Sequence, residues 1–264
     1  MSSTSIAFYT GRTGGTGQTG VYSITLRHAF VNLLSLKSYG FVIILQYRPD
    51  IINSPVRPVP PVRPVKTMIP GEYYHLYNRG AHKAPVFNDA CDYERFVRLL
   101  YAANGERLFK LRDIPEDRAF DFDRGNPLVD VIAYCLMPNH FHIAVRERQR
   151  YGTTEFLRKI CTGYGCYYNI KYKHSGTIFQ GKYKCKPVDK IEYLTILINY
   201  IHLNPFGIKE PNITKEARIE HMSEAIEYSK DYEYSSFKDY LGENRAVRGI
   251  LAAELPAITP VRPV

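Results

Sequence analysis

Two short segments of the chain contain the side chains best suited to chemistry. One reads Met-Pro-Asn-His-Phe-His and includes His140 and His142; the other reads Asn-Tyr-Ile-His-Leu-Asn-Pro and includes Tyr200 and Asn204. On a β-strand, both histidines point to the same face because side chains alternate. On a helix, Tyr200 and Asn204 lie on one face, one turn apart. Two imidazoles, an amide oxygen and a phenol together predict metal-assisted attack on a phosphodiester.

The residue types indicate separate roles. His140, His142 and Asn204 are candidate ligands of one cation, because two nitrogens and an amide oxygen without thiolate suit Mg²⁺ or Mn²⁺ better than structural zinc. Tyr200 is the candidate nucleophile. A phenol is protonated at neutral pH, so its attack needs a cation or a base, and it would leave a phosphotyrosine linkage. The simpler interpretation is that the histidine pair is coincidental and that Tyr200, one of 22 tyrosines, only packs. His202, on the other side of the same helix, is interpreted as structural.

Periodicity and turn residues predict the elements that hold these groups. The expected elements are a strand over 72–78, a helix from an Asn88 cap to Ala103, a strand pair within 128–146, a helix from Thr153 or Thr154 to Tyr172, and a helix from an Asp189 cap to Leu203. Residues 104–126 are expected to form a loop with a short strand, and residues 213–240 a helical tail. This order predicts an α+β fold, a ferredoxin-like sandwich whose antiparallel sheet has helices packed on it. The histidine pair would lie on a central strand beneath the Tyr200 helix.

Composition indicates a globular chain with a polyanionic partner. The 264 residues are 45% hydrophobic, and the net charge is +9. Residues 146–190 hold eleven Lys and Arg against three Asp and Glu, together with six tyrosines. Because cations bind phosphates and aromatic rings stack on unpaired bases, this stretch predicts contact with single-stranded nucleic acid. A solvated face over a tyrosine-rich core is the alternative.

Cysteine usage and hydropathy argue against secretion and membrane insertion. The five cysteines are odd in number and show no Cys-x-x-Cys pattern, which favours a reducing cytosol over a disulfide framework or a zinc ribbon. No apolar run reaches the 18 residues that a membrane helix requires. The N-terminus lacks the basic start and cleavage site of a signal peptide. A cytoplasmic protein without membrane contact is expected.

The two ends of the chain differ from its middle. Residues 55–65 read PVRPVPPVRPV, residues 260–264 repeat PVRPV, and residues 10–20 read TGRTGGTGQTG. The reverse complement of codons for residues 55–65, read one base out of register, spells a peptide that matches residues 10–20 at every place except Gln18. Much of residues 1–67 is therefore interpreted as translated inverted-repeat DNA, with Met68 as a plausible start and the repeat itself as a candidate substrate. Polyproline linkers are the alternative interpretation.

Five elements, in order, resemble the single-tyrosine HUH transposase superfamily, and most closely the REP-associated tyrosine transposases, which are IS200-like. They are YHLYNRG (74–80), YCLMPNHFHIAV (134–145), YGCYYNIKYKHSGTIFQGKYK (164–184), YIHLNPFGIK (200–209) and YEYSSF (232–237). The histidine segment followed by Tyr-Ile-His-Leu-Asn-Pro is a highly specific combination. The resemblance implies a transposase domain over 68–241, after an N-terminal extension (1–67) and before a C-terminal tail (242–264).

The resemblance also implies a mechanism and its residues. It assigns His140, His142 and Asn204 to a divalent metal, Mg²⁺ or Mn²⁺, and Tyr200 to nucleophilic attack on a single-stranded DNA hairpin near its foot. It implies DNA contacts for Arg79, Lys171, Lys173, Lys182 and Lys184. Lys182 stands where the family commonly has arginine, so bidentate phosphate binding is lost there. A bacterial, nucleoid-associated monomer or homodimer is expected.

Two other functions are compatible with the same residues. A catalytically inactive hairpin DNA- or RNA-binding protein would bind without metal and without the tyrosine hydroxyl. An ordinary metal-dependent phosphodiesterase would use activated water and form no covalent intermediate. The intact set of histidines, asparagine and tyrosine favours the transposase, because neither alternative requires Tyr200.

Overall fold

The computed structural model divides the chain into two units, Met1–Pro64 and Val65–Val264. It describes residues 4–9, 21–26, 68–212 and 221–256. In the first unit, strands β1 (Thr4–Tyr9) and β2 (Val21–Leu26) pair antiparallel. The repeat-like segments at 10–20, 55–65 and 260–264 lie outside the described residues, so their interpretation stays a prediction.

The second unit contains an antiparallel sheet and its helices. The strands are β3 (Tyr73–Arg79), β4 (Val129–Met137), β5 (His140–Glu147) and β6 (Lys184–Val188). The helices are α1 (Ala90–Ala102), α2 (Gly152–Lys171), α3 (Ile191–His202), α4 (Phe206–Lys209), α5 (Met222–Lys230) and α6 (Phe237–Tyr240). Short 3₁₀ turns occur at Ala81–Lys83, Leu111–Asp113, Glu116–Arg118 and Ala246–Ile250. Within the described residues, no helix has both the length and the apolar character needed to cross a membrane.

The strand order in this sheet is β4-β5-β3-β6, and every neighbouring pair is antiparallel. With α1 between β3 and β4, and α2 between β5 and β6, the chain order is β-α-β-β-α-β. This is the ferredoxin-like arrangement, so the predicted fold class is confirmed. The strand that carries the histidine pair, β5, lies in the middle of the sheet as expected.

Helices cover both faces of the sheet. On one face, α1 and α2 contribute Phe96, Leu100, Phe156 and other side chains to the main core. On the other face, α3 packs against β4 and β5 through a smaller cluster. All nine residues of β4 are therefore buried, which matches its nearly continuous apolar sequence. The predicted C-terminal tail also takes part, because Ile250 and Leu251 enter the main core.

Several predicted element ends are wrong. Asp89, not Asn88, caps α1, because the Asp89 side chain accepts a hydrogen bond from the Asp92 amide. Asp189 does not cap α3, which begins after an extended Lys190 without a side-chain cap. The fully described stretch 104–126 holds 3₁₀ turns instead of the predicted short strand. Of the predicted 213–240 tail, residues 213–220 lie outside the described residues, and the rest is helical at α5 and α6.

A buried carboxylate joins α1 to α2. The side chain of Asp92 has no exposed surface and accepts hydrogen bonds from Lys171 Nζ at 2.8 Å, Tyr167 Oη at 3.0 Å and Tyr172 Oη at 2.7 Å. Burial alone raises the pKa of a carboxyl, but these hydrogen bonds and one from the Asn88 amide outweigh it and hold the pKa of Asp92 below its usual range. The charged carboxylate is therefore part of the native packing.

We expect Asp92→Asn to lower the free energy of unfolding by about 2 kcal/mol at pH 7, because it removes the charged acceptor of the hydrogen bonds from Lys171, Tyr167 and Tyr172. Since the folded pKa is lowered, the carboxylate stabilises the protein above the ordinary carboxyl pKa, and this contribution is lost as the pH falls below about 4. Urea unfolding at pH 7 and pH 3 tests both points: the difference between wild type and variant should shrink in acid. Asp113→Asn, at an exposed ion pair, should change stability by less than about 0.5 kcal/mol. Equal losses in the two variants would contradict the assignment.

Candidate active site

Three neighbouring strands bring polar side chains to the sheet face that α3 covers. In the strand register, Tyr77 lies between His142 on one side and Lys184 on the other. Arg79 pairs with His140 in the same register. Because side chains alternate along each strand, these residues project to one side, while Phe141 and Ile143 enter the core on the other. Side-chain alternation along the strands thus gives the sheet one polar face, called the polar grid below, and one apolar face that belongs to the core.

Helix α3 holds Tyr200 over this grid. Leu194, Ile198 and Ile201 are buried against the sheet, and burial of each such side chain is worth about 1.5–3 kcal/mol. They fix the rotation of the helix, so that the partly buried Tyr200 faces the histidines. Its ring centroid lies 5.4 Å from that of His142, in an edge-on arrangement. The predicted placement of the tyrosine helix above the histidine strand is confirmed.

Asn204 lies next to His140 and not on the helix. Because α3 ends at His202, Asn204 occupies the following turn, in contrast to the predicted i, i+4 pair on one helix face. Its side chain nevertheless contacts His140, in a way that favours the protonated ring, and its buried Nδ2 has no hydrogen-bond partner among the residues that the structure describes. The amide oxygen is therefore the atom that faces His140.

The other nitrogen of His140 fixes the orientation of its ring. Nδ1 lies 2.6 Å from Asn139 Oδ1, while Asn139 Nδ2 donates to the Lys83 carbonyl. An amide oxygen only accepts, so His140 Nδ1 carries the hydrogen and Nε2 carries a lone pair. That lone pair and the Asn204 oxygen point toward the same place. Two electron-rich atoms directed toward each other repel, and a bound cation would relieve this repulsion.

His142 has a third histidine as its neighbour. Its Nδ1 lies 2.9 Å from His75 Nε2, with the rings stacked at a centroid distance of 5.0 Å. Burial, with added repulsion from His140 and His75, lowers the pKa of His142 to about 2. Burial and the charge of Arg79 lower the pKa of His140 to about 4, although its contact with Asn204 acts in the opposite direction. Both imidazoles are thus neutral at pH 7, the form that binds metal ions.

The donor set fits a divalent cation with open coordination positions. Among the described residues, no group of three or more His, Cys, Asp or Glu side chains is arranged to hold a metal ion. The predicted set contains two histidines and one asparagine, so it has no anionic ligand. It should therefore bind a cation more weakly than a site with carboxylate ligands would. The amide oxygen of Asn204 suits Mg²⁺ or Mn²⁺, whose remaining positions water and phosphate oxygens commonly fill, and the two neutral imidazoles each offer a lone pair.

A cleft of about 460 Å³ opens beside these groups. It is lined by Tyr77, Asn78, Arg79, His140, His142, Gln180, Lys184 and Tyr200. Gln180 reaches it because the segment after α2 runs along the end of β3, where the Gln180 amide donates to the Arg79 carbonyl. The chain then turns at Gly181, whose φ of +76° favours glycine. The cleft therefore has a basic and aromatic lining, and none of its lining residues is acidic.

The structure places only some of the five predicted DNA-contact residues near the cleft. Arg79 and Lys184 line the cleft, and Lys182 is exposed just before β6. Lys171 lies on the opposite side of the sheet, where its ammonium binds Asp89 and Asp92. Lys173 is exposed immediately after α2. The structure thus brings two of the five basic residues to the histidines, while Lys171 joins two helices.

Sequence reasoning missed residues that the sheet register brings in. Lys186 lies two residues from Lys184, and its Nζ is 5.9 Å from the centre of the Tyr77 ring. His75, two residues before Tyr77, was not assigned a role. Period-2 alternation from Lys184 and Tyr77 is the signal that identifies both. His202, interpreted as structural, is buried and lies 2.9 Å from Ser236 Oγ.

Residues 125–204 match a family model described as Transposase IS200 like. The matched segment contains β4, β5, Tyr200 and Asn204, so the resemblance predicted from the sequence is confirmed there. One similar solved structure is that of the REP-associated tyrosine transposase bound to a REP hairpin, with a TM-score of 0.43 and 12% sequence identity. The similarity covers 74% of this chain and 94% of that chain. No curated protein matches the sequence.

Proposed function

We propose that this chain, with its IS200-like transposase segment, is a metal-dependent single-stranded DNA endonuclease and strand transferase. It acts on hairpin or palindromic repeat DNA through a 5′-phosphotyrosine intermediate. The observation that carries the proposal is that Tyr200, His140 and His142 line one basic cleft, with Asn204 in contact with His140. These residues come from a central strand, a helix and a turn, so their convergence depends on the whole fold.

Tyr200 is the proposed nucleophile. Its oxygen forms a bond to the scissile phosphorus, and the bond from phosphorus to the 3′ oxygen breaks. The phenol proton is released, and the departing 3′ oxygen takes up a proton as it becomes a hydroxyl. Because the phosphodiester is replaced by a phosphotyrosine ester, the bond energy is conserved and a later 3′ hydroxyl can reverse the step. Rejoining therefore needs no nucleotide cofactor.

The ligand residues prepare the site for its cation. The lone pairs of neutral His140 and His142 and the oxygen of Asn204 are the proposed ligands of Mg²⁺ or Mn²⁺. A bound cation of this kind polarises the phosphate and offsets the charge that develops during attack. The ring of His142 packs edge-on to Tyr200, which keeps the nucleophile beside the ligands.

The basic side chains of the cleft are proposed to hold the DNA strand. Arg79 offers a bidentate fork to phosphate, and Lys184, the register partner of Tyr77, offers a point charge. Tyr77 presents an aromatic surface on which an unpaired base can stack. Exposed Lys173 and Lys182 are proposed to contact DNA outside the cleft, and Lys171 only through its partly exposed ammonium. Hairpin DNA is the proposed substrate because the chain ends are interpreted as translated palindromic repeats.

The covalent intermediate supplies the test. Labelled single-stranded oligonucleotides copied from the inverted repeat at the gene's ends are incubated with the full chain and Mn²⁺, and separated on a denaturing gel. We expect a slow-migrating adduct that, after proteolysis and mass spectrometry, carries a 5′-phosphate ester on Tyr200. Cleavage without an adduct would favour the water-activated phosphodiesterase. A mobility shift in native gels without any cleavage would favour the inactive hairpin-binding protein.

Removal of a cleft cation should weaken binding in a salt-dependent way. We expect Lys184→Gln to reduce the slope of log K against log salt by about 0.7, the value for one phosphate contact with a single strand. The measurement is fluorescence anisotropy with a labelled hairpin at four salt concentrations. Lys230→Gln, at a surface ion pair on α5, is the control and should leave the slope unchanged. An unchanged slope for Lys184→Gln would place the DNA elsewhere.

A further inference from the structure

A ring nitrogen of His75 faces a ring nitrogen of His142, and the hydrogen between them can belong to either ring. His75 Nε2 and His142 Nδ1 lie 2.9 Å apart, so one of them carries the hydrogen and the other accepts it. If His75 donates, a neutral His142 keeps its remaining hydrogen on Nε2 and has no lone pair for a cation. If His142 donates, its Nε2 is free to act as a ligand. The direction of this hydrogen bond therefore decides whether His142 can bind metal.

Strand pairing and packing hold His75 in this position. It lies on β3, diagonal to His142, because Tyr77 is the residue directly opposite His142 in the register. The rings of His75 and Tyr77 are 4.9 Å apart, and the His75 ring meets Tyr200 edge-on at 6.2 Å. His75 thus touches the proposed ligand on one side and the proposed nucleophile on another. Its position is set by the same alternation that places Tyr77 and Arg79 in the cleft.

We propose that His75 is a positioning residue that accepts the Nδ1 hydrogen of His142 and so keeps the His142 Nε2 lone pair directed to the cation. Outer-shell partners of metal-bound histidines usually act in this way. His140 has an equivalent partner, because its Nδ1 donates to Asn139. Each proposed histidine ligand would then donate its Nδ1 hydrogen to a neighbouring acceptor, which is an amide oxygen for His140 and an imidazole nitrogen for His142. This inference rests on the proposed function, since it concerns the same metal ligands.

Metal affinity tests the inference without DNA or turnover. Mn²⁺ binding is measured by calorimetry and by electron paramagnetic resonance for the full-length wild type, His75→Phe and His75→Gln. We expect His75→Phe, which keeps the ring but has no acceptor, to bind Mn²⁺ about 10- to 100-fold more weakly. His75→Gln, whose amide oxygen can accept the same hydrogen, should bind close to wild type. His174→Phe, at an exposed histidine outside the cleft, is the matched control and should bind as wild type does. Thermal unfolding of each metal-free variant shows whether it is folded.

Nitrogen NMR of ¹⁵N-histidine-labelled, metal-free protein gives a second readout that packing alone would not change. We expect His142 to carry its hydrogen on Nδ1 in wild type and in His75→Gln. A hydrogen on Nε2 in wild type, equal affinities for wild type and His75→Phe, or a loss in His75→Gln as large as in His75→Phe would each overturn the inference. A wild-type protein that binds no Mn²⁺ at all would instead contradict the metal in the proposed function.

Discussion

Replacing Tyr200 by phenylalanine is expected to abolish both the covalent adduct and strand cleavage while leaving hairpin binding intact. The variant keeps the ring that packs edge-on against His142 and removes only the oxygen that attacks phosphorus. Loss of a nucleophile that acts together with its supporting groups commonly lowers the rate by about 10⁴-fold or more. Single-turnover cleavage of a labelled hairpin in Mn²⁺ measures the rate, and anisotropy with the same hairpin measures binding.

Tyr193→Phe is the matched control for this experiment. Tyr193 lies on the same helix and is 56% exposed, so loss of its hydroxyl should change neither cleavage nor stability. Cleavage that survives in Tyr200→Phe at more than about a tenth of the wild-type rate would identify water as the nucleophile and remove Tyr200 from that role. Loss of binding together with cleavage would point to a structural effect, which thermal unfolding of the variant would reveal.

The fold was predictable because its strongest signals are local. The apolar run of β4, the turn at Pro138 and Asn139, and the alternation in β5 all lie within one hairpin. Pairing this hairpin with β3 and β6 then leaves few arrangements that bury both helices on one face. The helix starts were harder to predict. Asn88 and Asp89 are equally good caps by residue type, and the choice of Asp89 accompanies its contact with Lys171, which is distant in sequence.

The candidate site was predictable only where its spacing is local. His140 and His142 are two residues apart on one strand, so their grouping could be inferred from periodicity. Asn204 reaches His140 from the turn after α3, where helical periodicity does not apply. His75 could not be paired with His142, because the strand register that joins them spans 67 residues. Lys171 could not be separated from the cleft cations by charge alone. Its ion pair with the buried Asp92 depends on how α1 packs on α2, which the local sequence does not specify.

The second large effect is expected from His142→Ala. Lewis-acid stabilisation by a divalent ion is worth several kcal/mol in the transition state, which corresponds to a loss of about 10³-fold in the cleavage rate. The variant should also lose detectable Mn²⁺ binding, since it leaves one imidazole and one amide as proposed ligands. Single-turnover cleavage and Mn²⁺ calorimetry measure the two effects, and His174→Ala, outside the cleft, is the control.

Removal of the metal ion tests the same prediction in a second way, because losing the ligand and losing the ion should remove the same interaction. In wild type, EDTA should lower the cleavage rate about as much as His142→Ala does, whereas EDTA should produce little further loss in the variant. Such non-additivity is the signature of two changes that remove the same interaction. Two losses that multiply would mean that His142 contributes through packing against Tyr200, with the ion bound elsewhere. Full activity of wild type in EDTA would contradict metal dependence itself.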